Sequence, residues 1–293
     1  MSTVDVVTVS YNSAGELRRC VDAVNRLPDL TMIVVDNAST DGSLATLGGC
    51  DVVTVPLSKN VGFAAGCNVG WQRGESPYVL FLNPDAEIDE GSIRSLIAVL
   101  EGDPRAGAVA PNIRNDDGSL AYSLRRFPRV RSTFAQALFL HRLFPHALWA
   151  DELIRRPDCY ERRWAPEWVS GACLMVRRTV LEELGGWDER FFLFGEDVDL
   201  CKRIRDAGYT LWFEPSAECR HVGGASSTKE AVLPLLIAGR IRYIEKHHGR
   251  LRTMVERIGY GLGALSHAVA GRDARLGHIK SLLVSMSILR LYP

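Results

Sequence analysis

The chain has 293 residues, 46% of them hydrophobic, with 35 basic and 35 acidic side chains and seven cysteines. Such a length supports one large domain or two small ones and can bury roughly 75% of the unfolded surface without a disulfide or structural metal. Zero formal net charge argues against a nucleic-acid binder, which carries a basic excess, and an odd cysteine count without a CxxC pair fits reduced thiols.

Residues 4–9 form a valine-rich apolar run and predict a buried first strand. Nothing before them resembles a basic and apolar leader, and no run reaches the ~18 apolar residues of a spanning helix. The expectation is a cytoplasmic protein. Ser13, with Glu16 three positions on, reads as a capping box for a helix carrying Leu17, Cys20, Val21 and Val24. A second strand at 32–35 ends at Asp36, and Ser39-Thr40-Asp41-Gly42 is turn chemistry leading into a short helix. A strand at 52–55, a helix at 63–71 and a strand at 78–82 follow, the last stopping at Asn83-Pro84-Asp85. Ile93, Leu96, Ile97 and Leu100 mark a helix, and 107–110 a fifth strand. This alternation predicts an α/β fold with a mostly parallel, Rossmann-like sheet flanked by helices. Ligands bind outside the carboxyl ends of such strands, where Ser10-Tyr11-Asn12, Asp36-Asn37, Ser58-Lys59-Asn60 and Asn83-Pro84-Asp85 fall.

The rhythm is lost between 112 and 167, a stretch with a hairpin turn at Asn115-Asp116-Asp117-Gly118 and many arginines and aromatics, read as an acceptor-side insertion. A strand at 169–176 interrupted by Gly171, a helix at 179–184 ending in Gly185-Gly186, a helix at 196–207 and strands at 210–213 and 218–221 complete the body. We divide the chain into a catalytic region, 1–229, with halves 1–111 and 112–229, and a basic helical segment, 230–293. From Ala231 onward ten basic residues face only Glu245, Glu256 and Asp273. That imbalance suits either solvated packing helices or an anionic membrane surface.

Several residues offer chemistry on their own account. Thr8, Tyr11 and Asn12 present a hydroxyl, a ring to stack on and an amide. Asp36 can accept from a base N–H or a ribose hydroxyl, or close an Asx-turn. Asn60-Val61-Gly62-Phe63 opens a helix, whose N–H groups suit a diphosphate and whose Gly62 permits close approach. Asn83-Pro84-Asp85 is either a type I turn or a site for a hard cation. Glu196-Asp197-Val198-Asp199 begins a helix. Asp197 shares a face with Cys201 and Ile204, whereas Asp199 shares one with Lys202, Arg203 and Asp206. Asp197 is therefore expected to point inward as a general base and Asp199 outward, with Glu196 as the fallback base. Trp187 either stacks on an acceptor sugar or fills the core.

The stretches at 6–12 (VVTVSYN), 33–43 (IVVDNASTDGS), 60–68 (NVGFAAGCN), 79–85 (VLFLNPD), 169–176 (VSGACLMV), 186–192 (GWDERFF) and 194–202 (FGEDVDLCK) resemble glycosyltransferase family 2, with the A-type nucleotide-sugar-binding fold, and within it bacterial rhamnosyltransferases. The resemblance implies an inverting, metal-dependent transfer from a nucleotide-sugar donor, dTDP-L-rhamnose, to a lipid-linked or cell-envelope glycan. It assigns the donor to Thr8, Tyr11, Asn12, Asp36, Asn60, Gly62, Phe63, Asn68 and Asn83, and the acceptor to Gly171 and Trp187. It gives Mg²⁺ or Mn²⁺ to Asp85 and His221, and catalysis to Asp197 with Glu196. Asn83 departs from the family's Asp-x-Asp pattern, bringing an amide where an acid is usual. UDP-galactofuranose or another UDP-sugar is an alternative donor, and a non-catalytic sugar-nucleotide-binding protein an alternative role. A nucleotidyltransferase would need a Gly-rich basic loop after the first strand, which Ser10-Tyr11-Asn12-Ser13 is not. Peripheral attachment at the inner membrane face is expected, and a homo-oligomer is compatible with the sequence.

Overall fold

A computed structural model of the chain describes residues 3–221, 229–270 and 275–286. In chain order the elements are β1 Val4–Ser10, α1 Leu17–Asn25, β2 Leu30–Asp36, β3 Val53–Pro56, α2 Phe63–Trp71, β4 Tyr78–Leu82, β5 Ala86–Ile88, α3 Glu90–Gly102 and β6 Ala106–Arg114. There follow β7 Leu120–Ala121, β8 Leu124–Arg125, α4 Val130–Ala137, α5 Leu140–Leu143, β9 Trp168–Val169, β10 Cys173–Arg177, α6 Arg178–Leu184, α7 Glu196–Asp206 and β11 Thr210–His221. Three C-terminal helices close the list: α8 Lys229–His247, α9 Arg250–Ala270 and α10 Arg275–Ser285.

Nine strands form one mixed sheet in the order β3-β2-β1-β4-β10-β6-β11-β5, with β7 beside β6. The first four are parallel; the inner ones, β2, β1 and β4, are buried on both faces, as their apolar runs predict, and β3 is an exposed edge. β10 runs antiparallel between β4 and β6, a reversal that periodicity alone does not reveal. Ser10 pairs with Asp36 and Asp36 with Pro56, so these strand ends lie level along one edge. The hairpin at 115–118 forms as expected, with Gly118 at φ +80. The two expected late strands merge into β11, whose register shifts between Glu214 and Glu218. The Gly223-Gly224 loop lies outside the described residues.

Two expectations change. Ser13 does not cap α1, which starts at Leu17. Its backbone N–H instead donates to Ser43 Oγ at 2.9 Å, while Ala14 N–H donates to Asp41 Oδ2 at 2.9 Å, tying the loop after β1 to that after β2. Asp199 does not face solvent: it is fully buried. Arg203 Nε lies 2.8 Å from Asp199 Oδ2, and Lys246 Nζ and His247 Nε2 each lie 2.7 Å from Oδ1. The helical face shared with Lys202 and Arg203 was polar because α8 covers part of it with cations. Burial pushes the Asp199 carboxyl up, but His247, Arg203 and Lys246 outweigh it and hold it below the usual range.

The seven cysteines are all free thiols. Asp199→Ala should destabilise the protein by about 3–5 kcal/mol, because it leaves the half-buried Arg203 and Lys246 without their shared acid. Chemical denaturation measures this, and a change under about 1 kcal/mol would contradict the anchoring role.

Candidate active site

A cavity of about 540 Å³ opens at the carboxyl edge of the sheet. Tyr11, Asn60, Gly62, Phe63, Asn83, Asp85 and His221 border it, so seven of the expected site residues are brought together from four strand ends and one helix start. At its centre, His221 Nε2 lies 3.1 Å from Asp85 Oδ1 and 3.3 Å from Asn83 Nδ2. The cause is pairing of β11 with β5, which sets His221 opposite Ala86. The Asn83 N–H is held by Ala172 O at 2.9 Å, fixing the 83–85 turn against the start of β10.

The imidazole Nε2 either donates to Asp85 or, unprotonated, accepts from Asn83. In the second state two lone pairs face each other across 3.1 Å, an arrangement that a cation relieves. A carboxylate oxygen, an imidazole nitrogen and an amide form a donor set that fits Mg²⁺ or Mn²⁺, provided that phosphate oxygens complete the shell. Among the described residues, no three His, Cys, Asp or Glu side chains converge into a complete protein-only metal site.

Asp36, at the end of β2, is 5% exposed. Its Oδ2 accepts from Ser39 N–H at 3.1 Å, whereas its Oδ1 is buried without a hydrogen bond. An orphaned acceptor of this kind costs about 1–3 kcal/mol until a donor reaches it. Ser10 Oγ is unsatisfied in the same way. Tyr11 is exposed at the rim.

Other expected donor residues are committed elsewhere. Thr8 is fully buried and donates to Leu82 O at 2.9 Å, so its hydroxyl ties β1 to the end of β4. Asn12 Oδ1 accepts from Thr40 N–H at 2.8 Å, which joins two loops. Asn68 uses its whole amide on the 186–189 turn and its own helix: Nδ2 donates to Trp187 O and Glu189 Oε1, and Oδ1 accepts from Trp187 N–H and Trp71 Nε1–H. Gly62 has φ +90 and a Cβ there would meet Phe192 O at 2.5 Å. The close approach it permits is thus to the Phe192 backbone. Two N–H groups at the start of α2 are already occupied, Gly62 by Asn60 Oδ1 and Phe63 by Phe192 O. Asn37, which sequence reasoning placed only in a polar cluster, orders this turn by accepting from Val61 N–H and donating to Gly62 O.

On the acceptor side, Trp187 is 2% exposed and packs edge-on against Phe63 and Phe81. It fills the core, because the neighbouring aromatics close over both of its sides. Gly171 lies against Asp197: a Cβ at Gly171 would meet Asp197 Cβ at 3.3 Å. Asp197 Oδ2 accepts from Gly171 N–H at 3.4 Å and Oδ1 from Val198 N–H at 2.8 Å. Ser170 and Ala172, on either side of Gly171, both border the cavity. Burial pushes Asp197 up, opposed by the Val198 N–H, Arg125 and the Gly171 N–H. Glu196 is buried, with Oε2 unpartnered, and burial followed by the charge of Asp197 pushes it well above the ordinary range. The pair therefore titrates as a unit, with the stronger upward push on Glu196.

The crevice thus sets an inward carboxylate beside a carboxylate, an imidazole and an amide at the carboxyl edge of an α/β sheet. A sequence profile described as Glycosyl transferase family 2 matches residues 5–185, and the chain belongs to that family. An N-acetylglucosaminyl-diphospho-decaprenol L-rhamnosyltransferase of Mycobacterium tuberculosis is 31% identical over 263 residues, covering 83% of this chain and 85% of the relative. The rhamnosyltransferase WbbL of Escherichia coli is 26% identical over 156 residues, 52% of this chain and 54% of that one. Within the family the chain is rhamnosyltransferase-like and acts as a glycosyltransferase. Among solved structures, a Pyrobaculum calidifontis mannosyltransferase in complex with GDP-Man and Mn²⁺ superposes with TM-score 0.60 at 19% identity, covering 99% of this chain and 81% of that one. GalNAc-T7 with UDP, GalNAc and Mn²⁺ gives 0.63 at 16%, covering 98% and 56%. Both share the A-type glycosyltransferase fold.

A carboxyl whose pKa rises on folding confers stability below its unfolded pKa, and that stability is lost as pH climbs toward the folded pKa. Glu196→Gln keeps the neutral form at every pH. Its melting temperature relative to the wild type should therefore climb as pH is raised from about 4 to about 8. A difference that is flat or falls with pH would show that Glu196 is not held protonated by the fold.

Proposed function

We propose that the protein is an inverting transferase that moves L-rhamnose from dTDP-rhamnose to a hydroxyl of a lipid-linked, diphosphate-bearing glycan. The observation that carries this reading is the 31% identity to a lipid-linked-acceptor rhamnosyltransferase across more than four-fifths of both chains. The geometry supports it. Asp36 Oδ1 awaits a donor such as a pyrimidine N–H or ribose hydroxyl, and Tyr11 offers a ring for stacking. Asn83 supplies an amide in the middle of the crevice.

Asp197, aimed by Gly171 and Val198, removes the proton from the acceptor hydroxyl. Its raised affinity for a proton makes it a stronger base than an exposed aspartate. The freed oxygen attacks the anomeric carbon from the side opposite the nucleotide, and the bond from that carbon to the diphosphate breaks with inversion. Asp85 and His221 are the residues that would hold Mg²⁺ or Mn²⁺, which when bound neutralises charge gathering on the departing diphosphate. Glu196, protonated, keeps a second negative charge away from the reacting oxygen.

The test is release of nucleoside diphosphate from a panel of dTDP- and UDP-sugars with and without divalent cation. dTDP-rhamnose should be the preferred donor, release should need the cation, and Asp197→Asn should slow transfer about 10²–10⁴-fold. Undiminished turnover by that variant removes Asp197 as the base, and preference for a UDP-sugar replaces the donor.

We further propose that the enzyme works at an anionic membrane surface, although no described helix is long and apolar enough to cross a membrane. The carrier is α9 rather than the basic tail as a whole. Four of the ten tail cations are used internally: Arg240 pairs with Glu152, Lys246 with Asp188 and Asp199, Arg252 with Glu256, and Arg257 with Glu245. Leu251, Met254, Ile258, Leu262, Leu265 and Val269 instead recur at helical spacing, and all are exposed. Leu138, Leu143, Phe144 and Leu148 are exposed nearby, in a segment that leaves α4 beside α9. Residues 125–150 contain basic side chains and no acidic one, so the segment that adjoins the apolar face carries net positive charge. A second copy of the same face would bring like charges together, whereas anionic lipid complements them. Leu262→Glu with Leu265→Glu should abolish flotation with liposomes containing anionic lipid. Unchanged flotation would exclude this face.

A further inference from the structure

A second cavity, of about 350 Å³, lies among α4, α8, α9, α10 and the 151–155 segment. Its polar lining includes Arg125, Arg155, Arg240, His141, His267 and His278. Two of the arginines are spent: Arg155 pairs with Asp151 at 3.2 Å and Arg240 with Glu152 at 2.6 Å. Arg125 differs. Its guanidinium sits 5.1 Å from the centre of the Trp168 ring and makes no direct ion pair among the described residues, while Asp197, Glu152 and Asp151 act on it from further off. A mostly buried arginine that faces a cavity and touches no carboxylate has its fork free to bind an anion.

Its position ties the cavity to the chemistry. Arg125 on β8 pairs with Trp168 on β9. β9 leads directly into Ser170 and Gly171, which reach the donor cavity and Asp197 respectively. Arg125 is also within electrostatic reach of Asp197. α8 separates the two cavities: Val232 borders the first, and Leu233 and Ile237 the second. The second cavity thus places a cation across α8 from the first cavity and within electrostatic reach of Asp197, with an apolar wall beside it and the exposed face of α9 outside. That order matches an acceptor with a sugar hydroxyl at one end, a diphosphate next and a hydrocarbon chain beyond.

We propose that this cavity receives the diphosphate of the lipid-linked acceptor, with Arg125 as its fixed cationic contact. The proposal rests on the acceptor class inferred above. Because the contact needs no donor sugar, it is tested by binding alone. Calorimetry in EDTA, with the full chain and no nucleotide, would compare farnesyl diphosphate, farnesol and inorganic pyrophosphate on the wild type, Arg125→Ala and Arg125→Lys. Farnesyl diphosphate should bind the wild type, Arg125→Ala should weaken it at least about tenfold, and Arg125→Lys should fall between, since lysine keeps the charge but loses the fork. Farnesol should bind weakly and equally to all three. If Arg125→Ala fails to fold, the lysine variant carries the comparison. Equal affinity of wild type and folded variants for farnesyl diphosphate overturns the proposal. Inorganic pyrophosphate binding as tightly as farnesyl diphosphate overturns the lipid assignment and leaves a free-phosphate site. Arg125-dependent binding in a protein that transfers no sugar from any donor would refute the transferase reading and leave this site standing.

Discussion

The site depends on one reversed strand. β10 enters between β4 and β6 and runs against both, and Cys173, Leu174, Met175 and Val176 are fully buried there. Because it is reversed, its beginning lies at the carboxyl edge of the parallel strands. Ala172 therefore meets Asn83, and Gly171 meets Asp197. A parallel strand in that place would have brought its end to the edge, and the loop linking donor turn to base would have lain on the far side of the sheet. The crevice arises where strand order and direction both change, the position at which open α/β sheets bind ligands.

Three acids at the start of α7 show how far environment decides role. Glu196, Asp197 and Asp199 lie within four residues and share the same helix start. Glu196 has burial and a like charge, and no ion pair, so it takes the strongest upward push. Asp197 has burial opposed by the Val198 N–H, Arg125 and the Gly171 N–H, which leaves it between the other two. Asp199 has two cationic partners, Arg203 and Lys246, and a hydrogen bond with His247, and is spent on assembly. The helix dipole acts on all three alike and separates none of them.

Much of the fold was legible because parallel strands buried on both faces must be continuously apolar, as β1, β2 and β4 are. The convergence of Asn83, Asp85 and His221 was legible from the family resemblance, since no local spacing joins residues so far apart in the chain. Side-chain commitments were not legible. A threonine at a strand end, an asparagine in a helix and a tryptophan after two glycines look available in sequence. Thr8 is taken by Leu82 O, Asn68 by the 186–189 turn, and Trp187 by Phe63 and Phe81. Asp199 misled for a related reason: helical spacing fixes which residues share a face but not what will cover it. Arg125 left one faint signal, the lack of any acid between 125 and 150, and that signal does not distinguish it from Arg126, Arg129 or Arg131.

The boundary drawn near residue 229 marks where family motifs stop, and packing does not stop with them. Gly239 of α8 sits so close to the turn before α7 that a Cβ there would meet Phe194 O at 2.1 Å, and one on Gly195, at φ +90, would meet Gly239 O at 2.9 Å. Two glycines thus let α8 press its backbone on the residue that begins the catalytic helix. Lys246 and His247, two turns further on, hold Asp199 of the same helix. α8 is gripped at both points, and its apolar residues divide the two cavities between them. A shift of α8 would therefore move the wall of the donor crevice, the start of α7 and the wall of the Arg125 cavity together. The C-terminal helices are in that sense packed as one unit with the crevice, and any contact made by α9 is joined, through α8, to the position of Asp197.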